Sequence, residues 1–442
     1  MSKFISHSLL TCLLFLLVSV WITENVGNWK NDRVLVYDSA GYYLYLPAVF
    51  IHNDLYELDF YKLANNEYPI SHQPEPYGIH PHPETGKMIN KYPLGLSFFQ
   101  LPFFATAHWY VVSGGDRHQA DGFSKHYQRA ISYSTIFFSF LGLLMLRLFL
   151  KKYFEEKYVW PTLAIIAFGT NFYYYSAFFH GLTHTYSFFL YSSVLLLSYK
   201  WHLKPNLKTS LLLGLCIGLA TICRPTDILV ALIPLAWKIT DVNYTLQIFR
   251  KHSGKLLIAA LGFFIPVSVQ LLYWYGGTGS FMYYSYSEEG FDFTNPQILN
   301  GLFSFRKGWF IYTPLALLGF IGLYYALRQK QFKDLSITTV IFYLFTIYIV
   351  FSWWMWYYGG SFGCRVLIQT YPLLAVPIAL LLKRVYQSRK KWLIASFSAI
   401  LVFGIALNIF QSYQYNRGII HWDSMTWEWY WQVFLSTQHW SG

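Results

Sequence analysis

Long apolar runs separated by short charged segments constrain this chain more than any other feature of its sequence. A helix needs about 20 apolar residues to cross the hydrocarbon core of a bilayer. With 55% hydrophobic and only 12% charged residues, an ordinary soluble domain and a disordered chain are both excluded. The sequence therefore predicts an all-α, polytopic integral membrane protein. The apolar runs are 8–26, 94–113, 130–150, 159–178, 186–201, 209–223, 226–238, 255–275, 309–327, 336–353, 367–382 and 392–410.

The distribution of charge decides which runs cross the membrane, because loops on the cytoplasmic side carry an excess of Lys and Arg. We place the N-terminus inside, lay 94–113 on the outer surface and divide 209–238 at Arg224-Pro225. The inner loops then hold 20 of the 33 basic residues and four of the 21 acidic ones. This arrangement predicts about eleven transmembrane helices plus outer interfacial helices. The basic surplus faces the cytoplasm and anionic membrane lipid, and no nucleic acid partner is expected.

The same topology predicts one transmembrane domain over residues 1–442, in the cell membrane. Its large extracytoplasmic loop is 27–129, which contains the interfacial helix 94–113, and 411–442 is an aromatic extracytoplasmic tail. Apart from 276–308 and that tail, the other outer loops are short. Function is therefore expected on the outer face, mostly in 27–129.

Two residues of the first outer loop stand out chemically. Asp38 is expected near the membrane surface, where a carboxylate can take a proton from a hydroxyl nucleophile; a helix cap is the alternative. Neighbouring tyrosines are expected to exclude water and raise its basicity. Lys91 stands just before the helix predicted at 94–113, and a helix N-terminus favours anions. Lys91 is therefore a candidate phosphate ligand, or else an interfacial lysine that snorkels.

These residues carry a resemblance to a known family. Asp38, the run Lys91-Tyr92-Pro93-Leu94 and Arg129 together resemble the GT-C superfamily, in its protein O-mannosyltransferase and lipid A aminoarabinose transferase branches. The segments 304–314 (SFRKGWFIYTP) and 359–365 (GGSFGCR) are similar to motifs of its bacterial members.

The resemblance implies an inverting glycosyltransferase of the cell envelope. Such an enzyme moves a sugar from a polyprenyl-phosphate carrier to a hydroxyl of a lipid, glycan or protein acceptor on the extracytoplasmic face. It implies that Asp38 is the general base, and that the donor phosphate is bound by Lys91, Arg306 and Arg365.

The chain also departs from this family's pattern. Ser39 stands where members often have Glu, and His180 and His184 lie where they often have an acid. No cofactor is therefore certain, and a divalent metal stays open. His180, His184, Glu288 and Glu289 are open as acceptor or metal contacts. Weak metal candidates are His72, His80 and His82, because imidazoles bind divalent ions; a solvated loop is the alternative for these histidines and for the acidic pair.

Other functions remain open on the sequence alone. A transporter or flippase of a lipid-linked glycan would place ionisable residues at mid-membrane, whereas most span interiors here lack charge. A glycan ligase or polymerase would be expected to have its large outer loop late in the chain. Arg224 and Arg365 are expected at outer span ends, where snorkelling is a cheap alternative to a functional role.

Overall fold

The computed structural model describes residues 6–68, 70–71, 77–115 and 119–439, and most of these are helical. The only sheet among them has two antiparallel strands, β1 (Ile79–Pro81) and β2 (Met88–Asn90), with Ile79 opposite Asn90. The all-α class predicted from the apolar runs is thus confirmed. The helices are α1 (His7–Val26), α2 (Asp38–Tyr43), α3 (Tyr45–Phe50), α4 (Asp59–Glu67), α5 (Gly95–Tyr110), α6 (Lys125–Leu150), α7 (Glu156–Phe168), α8 (Phe172–Ala177), α9 (Thr183–Leu203), α10 (Leu207–Cys223), α11 (Leu232–Leu235), α12 (Val242–Lys251), α13 (Ser253–Thr278), α14 (Ile298–Phe303), α15 (Trp309–Tyr312), α16 (Leu317–Ala326), α17 (Lys333–Phe351), α18 (Tyr371–Gln387), α19 (Lys391–Asn416) and α20 (Trp427–Val433).

Six helical segments in the described part of the chain are long and apolar enough to cross a membrane. Three shorter apolar segments, Leu207–Cys223, Pro225–Leu235 and Pro314–Ala326, accompany them. These lengths and compositions are those of a membrane protein. The six long segments are His7–Asn31, Lys125–Leu150, Ser253–Thr278, Lys333–Phe351, Arg365–Gln387 and Lys391–Asn416.

Several predicted spans form broken helices. The run 159–178 divides into α7 and α8, and the run 226–238 forms a 3-10 segment, Pro225–Ala231, followed by the short α11. The run 94–113 forms α5, whose 16 residues include Pro102. A π-helical segment, Val111–Gly115, continues directly from the end of α5.

The segment Arg365–Gln387 lies at the centre of the bundle and is almost wholly buried. Its helix α18 packs against α16 and α7. Two glycines, one at the crossing of α16 and α18 and one between α10 and α13, show how closely neighbouring helices approach. A Cβ at Gly322 would collide with the carbonyl of Pro377, and one at Gly214 with that of Ala259. Small residues at helix crossings permit this close packing in membrane proteins.

Polar contacts between loops join residues that the charge rule assigns to the same side. At one end of the bundle Lys238 pairs with Asp334, and Lys255 donates to the carbonyl of Pro205. At the other end Arg129 pairs with Glu24. The described residues of 27–129 fold onto this second end around their own apolar cluster, which includes Tyr43, Tyr61, Phe123 and Tyr127.

Candidate functional site

Asp38 begins α2, and its carboxylate contacts two other segments of the chain. Oδ2 accepts a hydrogen bond from Arg365 Nη2 at 2.7 Å, and Oδ1 accepts one from the Tyr92 hydroxyl at 2.6 Å. The preceding Tyr37 has φ 46° and ψ −120°, a conformation that costs a non-glycine residue about 1–3 kcal/mol. The Asp38 carboxylate therefore forms a long-range ion pair with Arg365, next to a strained backbone at Tyr37.

Arg365 opens a 3-10 segment, Arg365–Thr370, that leads into α18. Its side chain is 13% exposed and that of Asp38 is 25% exposed, so the ion pair is largely shielded from water. The Nε of Arg365 is buried without a hydrogen-bond partner among the described residues. A buried unsatisfied donor is costly, and this one belongs to the same guanidinium whose Nη2 is bonded to Asp38. The pair thus has a donor to spare for a ligand.

The pKa of Asp38 reflects opposing effects. Burial acts to raise this pKa, but the positive charge of Arg365, the hydrogen bond from Tyr92 and the charge of Lys91 outweigh it and hold the pKa below its ordinary value. The expectation that neighbouring tyrosines raise the basicity of Asp38 is therefore wrong for this arrangement. The carboxylate is ionised at neutral pH, which is the form that can accept a proton.

Lys91 follows β2 and is only 5% exposed. Its Nζ donates to Glu289 Oε1 at 2.8 Å. Three tyrosine rings surround the ammonium, with centroids 4.9 Å (Tyr77), 5.3 Å (Tyr92) and 5.7 Å (Tyr286) away. Aromatic faces stabilise a cation by their quadrupoles, most strongly where water is excluded.

Tyr92 contacts both Asp38 and Lys91, so the structure brings together three residues singled out in the sequence: Asp38, Lys91 and Arg365. Glu289 joins them through its ion pair with Lys91. Glu288, its neighbour, is exposed. We call the four residues Asp38, Lys91, Glu289 and Arg365, with Tyr92, the Asp38 centre.

Arg224 is a further cation near this centre, and for it the sequence left snorkelling as the alternative to a functional role. Its Nη1 donates to His184 Nδ1 at 3.1 Å, whereas Lys91, Arg306 and Arg365 each pair with a carboxylate. A charge inside an apolar run is expensive and is a functional signal by default. That cost was the sequence signal that could have identified Arg224.

Behind Arg224 lies a buried polar network within the broken 226–238 run. Asp227 is 2% exposed and its Oδ1 accepts hydrogen bonds from Tyr191 and Gln369, both at 3.3 Å. The other oxygen, Oδ2, is buried without a partner among the described residues. His184 lies beside Gln369 at 3.4 Å. His184 is thus part of this network.

Arg306 lies apart from the Asp38 centre. Its Nη2 donates to Asp423 Oδ2 at 2.9 Å, and its guanidinium stacks 3.3 Å from the centroid of the Tyr357 ring. The adjacent Lys307 is 3% exposed, and its Nζ donates to the carbonyls of Ser361 and Trp422, both at 2.6 Å. Burial lowers the pKa of Lys307 to about 7, although the charge of Asp423 opposes the shift.

The remaining candidate histidines have separate surroundings. His180 Nε2 lies 3.2 Å from Thr23 Oγ1, and burial lowers its pKa to about 4, so it is neutral. Burial also lowers the pKa of His80, and the charge of Lys91 adds to this effect. His82 contacts Thr85.

His72 falls outside the described residues. Within the described part of the chain, no group of three or more His, Cys, Asp or Glu side chains is placed to hold a metal ion. The histidines of this loop are therefore not assembled into a site there.

Comparison with known proteins adds no family assignment. A scan against protein-family models gives no match, and a search of curated proteins gives none either. The resemblance to the GT-C superfamily consequently depends on the motifs quoted above.

Proposed function

We propose that this chain is an inverting GT-C-type glycosyltransferase that uses a polyprenyl-phosphate sugar. One observation carries the proposal: an ionised carboxylate, Asp38, lies in a shielded centre with Arg365 and Lys91 at the loop end of an apolar bundle. The carboxylate suits proton removal from an acceptor, and the cations suit stabilisation of a phosphate leaving group. Both requirements of the reaction are met within one group of contacting residues.

In the proposed reaction, the acceptor oxygen attacks the anomeric carbon from the face opposite the phosphate. The new C–O bond forms as the bond to the phosphate oxygen breaks, and the phosphate leaves with the electron pair. The hydroxyl proton passes to Asp38. Lys91, Arg365 and Arg224 stabilise the charge on the departing phosphate.

The ion pair between Asp38 and Arg365 links the basicity of Asp38 to the charge on the phosphate. While the guanidinium holds the carboxylate, the pKa of Asp38 stays low. As negative charge grows on the phosphate, Arg365 turns toward the phosphate and its ion pair with the Asp38 carboxylate weakens. Loss of an adjacent positive charge raises the pKa of a carboxylate, so Asp38 becomes more basic as the proton must be accepted.

The proposed topology keeps about eleven spans in the cell membrane, with this centre on the extracytoplasmic face. The charge distribution supports it, since 20 of the 33 basic residues fall in the loops assigned to the cytoplasm. The loop contacts also support it, because they join residues assigned to the same side. Under this topology the acceptor is a lipid, glycan or protein hydroxyl outside the cytoplasm.

A second candidate, a transporter of a lipid-linked glycan, is favoured by one observation. The run 226–238 is a broken helix that contains the buried Asp227, with its network to Gln369 and Tyr191. Broken helices with ionisable groups are typical of transporter substrate sites. This network makes the second candidate worth a direct test.

The experiment uses the purified protein in liposomes with a panel of short-chain polyprenyl-phosphate hexoses and pentoses, together with lipid, glycan and peptide acceptors that carry free hydroxyls. Release of free polyprenyl phosphate is measured for the wild type, Asp38→Asn and the control Asp292→Asn, an exposed acid of the 276–308 loop. We expect Asp38→Asn to lose at least about 10²–10⁴-fold in rate. The control should keep the wild-type rate. An unchanged rate in Asp38→Asn would contradict the proposal. Movement of intact donor across the bilayer without phosphate release would favour the transporter.

A further inference from the structure

A cleft of about 380 Å³ lies between the 299–306 segment and residues 425–427 of the C-terminal tail. This volume falls within the range of roughly 300–1,000 Å³ that is usual for small-molecule sites. The walls that matter for recognition combine hydrogen-bonding and aromatic side chains, namely Asn300, Ser304, Arg306, Thr426, Phe305 and Trp427.

Unused hydrogen-bonding capacity lies in the polar wall, at Arg306, and behind it, at Asp423, which pairs with Arg306 but does not line the cleft. Arg306 is fixed by Asp423 and by the face of Tyr357. Even so, Arg306 Nε and Asp423 Oδ1 are both buried without partners among the described residues. One is a donor and the other an acceptor, and each is costly to leave unpaired. A hydroxyl group can satisfy both kinds of partner, since it donates and accepts.

The aromatic wall presents a fixed flat surface. The Trp427 side chain is 57% exposed, yet its ring is held edge-to-face against Phe305 at 4.9 Å. Phe305 is in turn packed against Tyr430 at 5.0 Å. A rigid aromatic ring offers contact area at little entropic cost. The apolar C–H face of a sugar ring matches such a surface, while its hydroxyls match the polar wall.

The cleft is connected to the Asp38 centre through two short segments. Lys307, next to Arg306, bonds to the carbonyls of Ser361 and Trp422. Ser361 lies four residues before Arg365, and Trp422 lies just before the 425–427 wall. Lys307 therefore joins the cleft wall at Arg306 and the tail to the segment that carries Arg365, the arginine that holds Asp38.

We propose that this cleft binds the carbohydrate part of the acceptor, a proposal that builds on the glycosyltransferase function above. A glycan seated against Trp427 and Arg306 would present its end toward Arg365 and Asp38. A hydrocarbon or isoprenoid chain fits less well, because it cannot accept a hydrogen bond from Arg306 Nε, which is buried without a partner among the described residues, and unpaired polar groups are costly to desolvate.

The test measures glycan binding in the absence of any donor. Detergent-solubilised Asp38→Asn protein is applied to an array of microbial and mammalian glycans, and the glycans retained are titrated by fluorescence. We expect retention of at least one glycan. We also expect a loss of about tenfold or more in affinity, or about 1.4 kcal/mol, for Trp427→Ala and for Arg306→Gln. Trp392→Ala, an exposed tryptophan at the opposite end of the bundle, should bind as the parent does.

Several results would overturn the proposal. These are no glycan retained on the array, affinities unchanged in both cleft variants, or displacement of the glycan by geranylgeranyl phosphate. Arg306→Gln removes an ion pair and could unfold the tail, so Asn300→Ala, at an exposed position of the cleft, serves as a second polar variant. Binding does not require transfer, so glycan binding without transferase activity would overturn the proposed function and leave the cleft assignment standing.

Discussion

Removing the Glu289 carboxylate should strengthen binding of a lipid phosphate. The Glu289 carboxylate pairs with the Lys91 ammonium at 2.8 Å. A phosphate that binds Lys91 must therefore displace this carboxylate. Glu289→Gln keeps the size of the side chain and removes the competing charge. An essential structural ion pair would behave differently, since its loss would weaken the site.

The size of this effect follows from the burial of the pair. The side chain of Lys91 is 6% exposed, whereas that of Glu289 is 32% exposed. Exposed ion pairs contribute about 0.2–1 kcal/mol, and hydrogen bonds to charged groups contribute about 1.5–3 kcal/mol. A value of about 1–2 kcal/mol is appropriate between these limits. We therefore expect the affinity for a polyprenyl phosphate to rise by roughly 5- to 30-fold.

The assay titrates the purified protein in detergent with a short-chain polyprenyl phosphate and follows thermal stabilisation. Glu288→Gln is the matched control, because it removes the same charge from the neighbouring exposed position and should leave the affinity unchanged. Lys91→Ala should abolish most of the binding. Weaker binding by Glu289→Gln than by the wild type would refute the reasoning, as would equal gains in Glu288→Gln and Glu289→Gln.

Three further predictions address the Asp38 centre, the buried Lys307 that bonds to the tail, and the topology. Tyr92→Phe removes a hydrogen bond that lowers the pKa of Asp38, so this pKa should rise and the acid limb of the pH–rate profile should move to higher pH; an unmoved limb would mean that Asp38 is not the catalytic base. The pKa of Lys307 is lowered to about 7 in the folded protein, so the unfolded chain binds more protons above that pH and stability should rise from about pH 7 to about pH 10. Lys307→Met should flatten the rise of melting temperature with pH. An equally steep rise in this variant would contradict the lowered pKa of Lys307. Single cysteines at positions 87 and 208 should be labelled from opposite sides of the membrane, and labelling from the same side would overturn the predicted topology.

Much of the helical framework follows directly from hydropathy. The apolar run 130–150 corresponds to α6, 255–275 to α13 and 392–410 to α19. Burial of apolar side chains determines these elements, and it is visible in composition. The break between α7 and α8 was not foreseen, because hydropathy records the polarity of a run and not whether its backbone stays helical.

The candidate site was predictable in its residue types but not in its pairings. Asp38 and Arg365 are 327 residues apart in sequence, and no local pattern indicates that they form an ion pair. The pairing also reverses the expected effect on the pKa of Asp38, because a partner charge can outweigh burial. Glu289 was one of two adjacent acids in the sequence, and only tertiary packing distinguishes the one that reaches Lys91.

The most direct test of the Asp38 centre is a cryo-EM structure of the protein in nanodiscs with a bound short-chain polyprenyl phosphate. We predict that the phosphate lies within hydrogen-bond distance, about 2.7–3.2 Å, of Lys91 and of Arg365 or Arg224, with the Glu289 carboxylate displaced from Lys91. A phosphate bound away from all three cations, or next to Asp227 inside the bundle, would contradict the proposed transferase site.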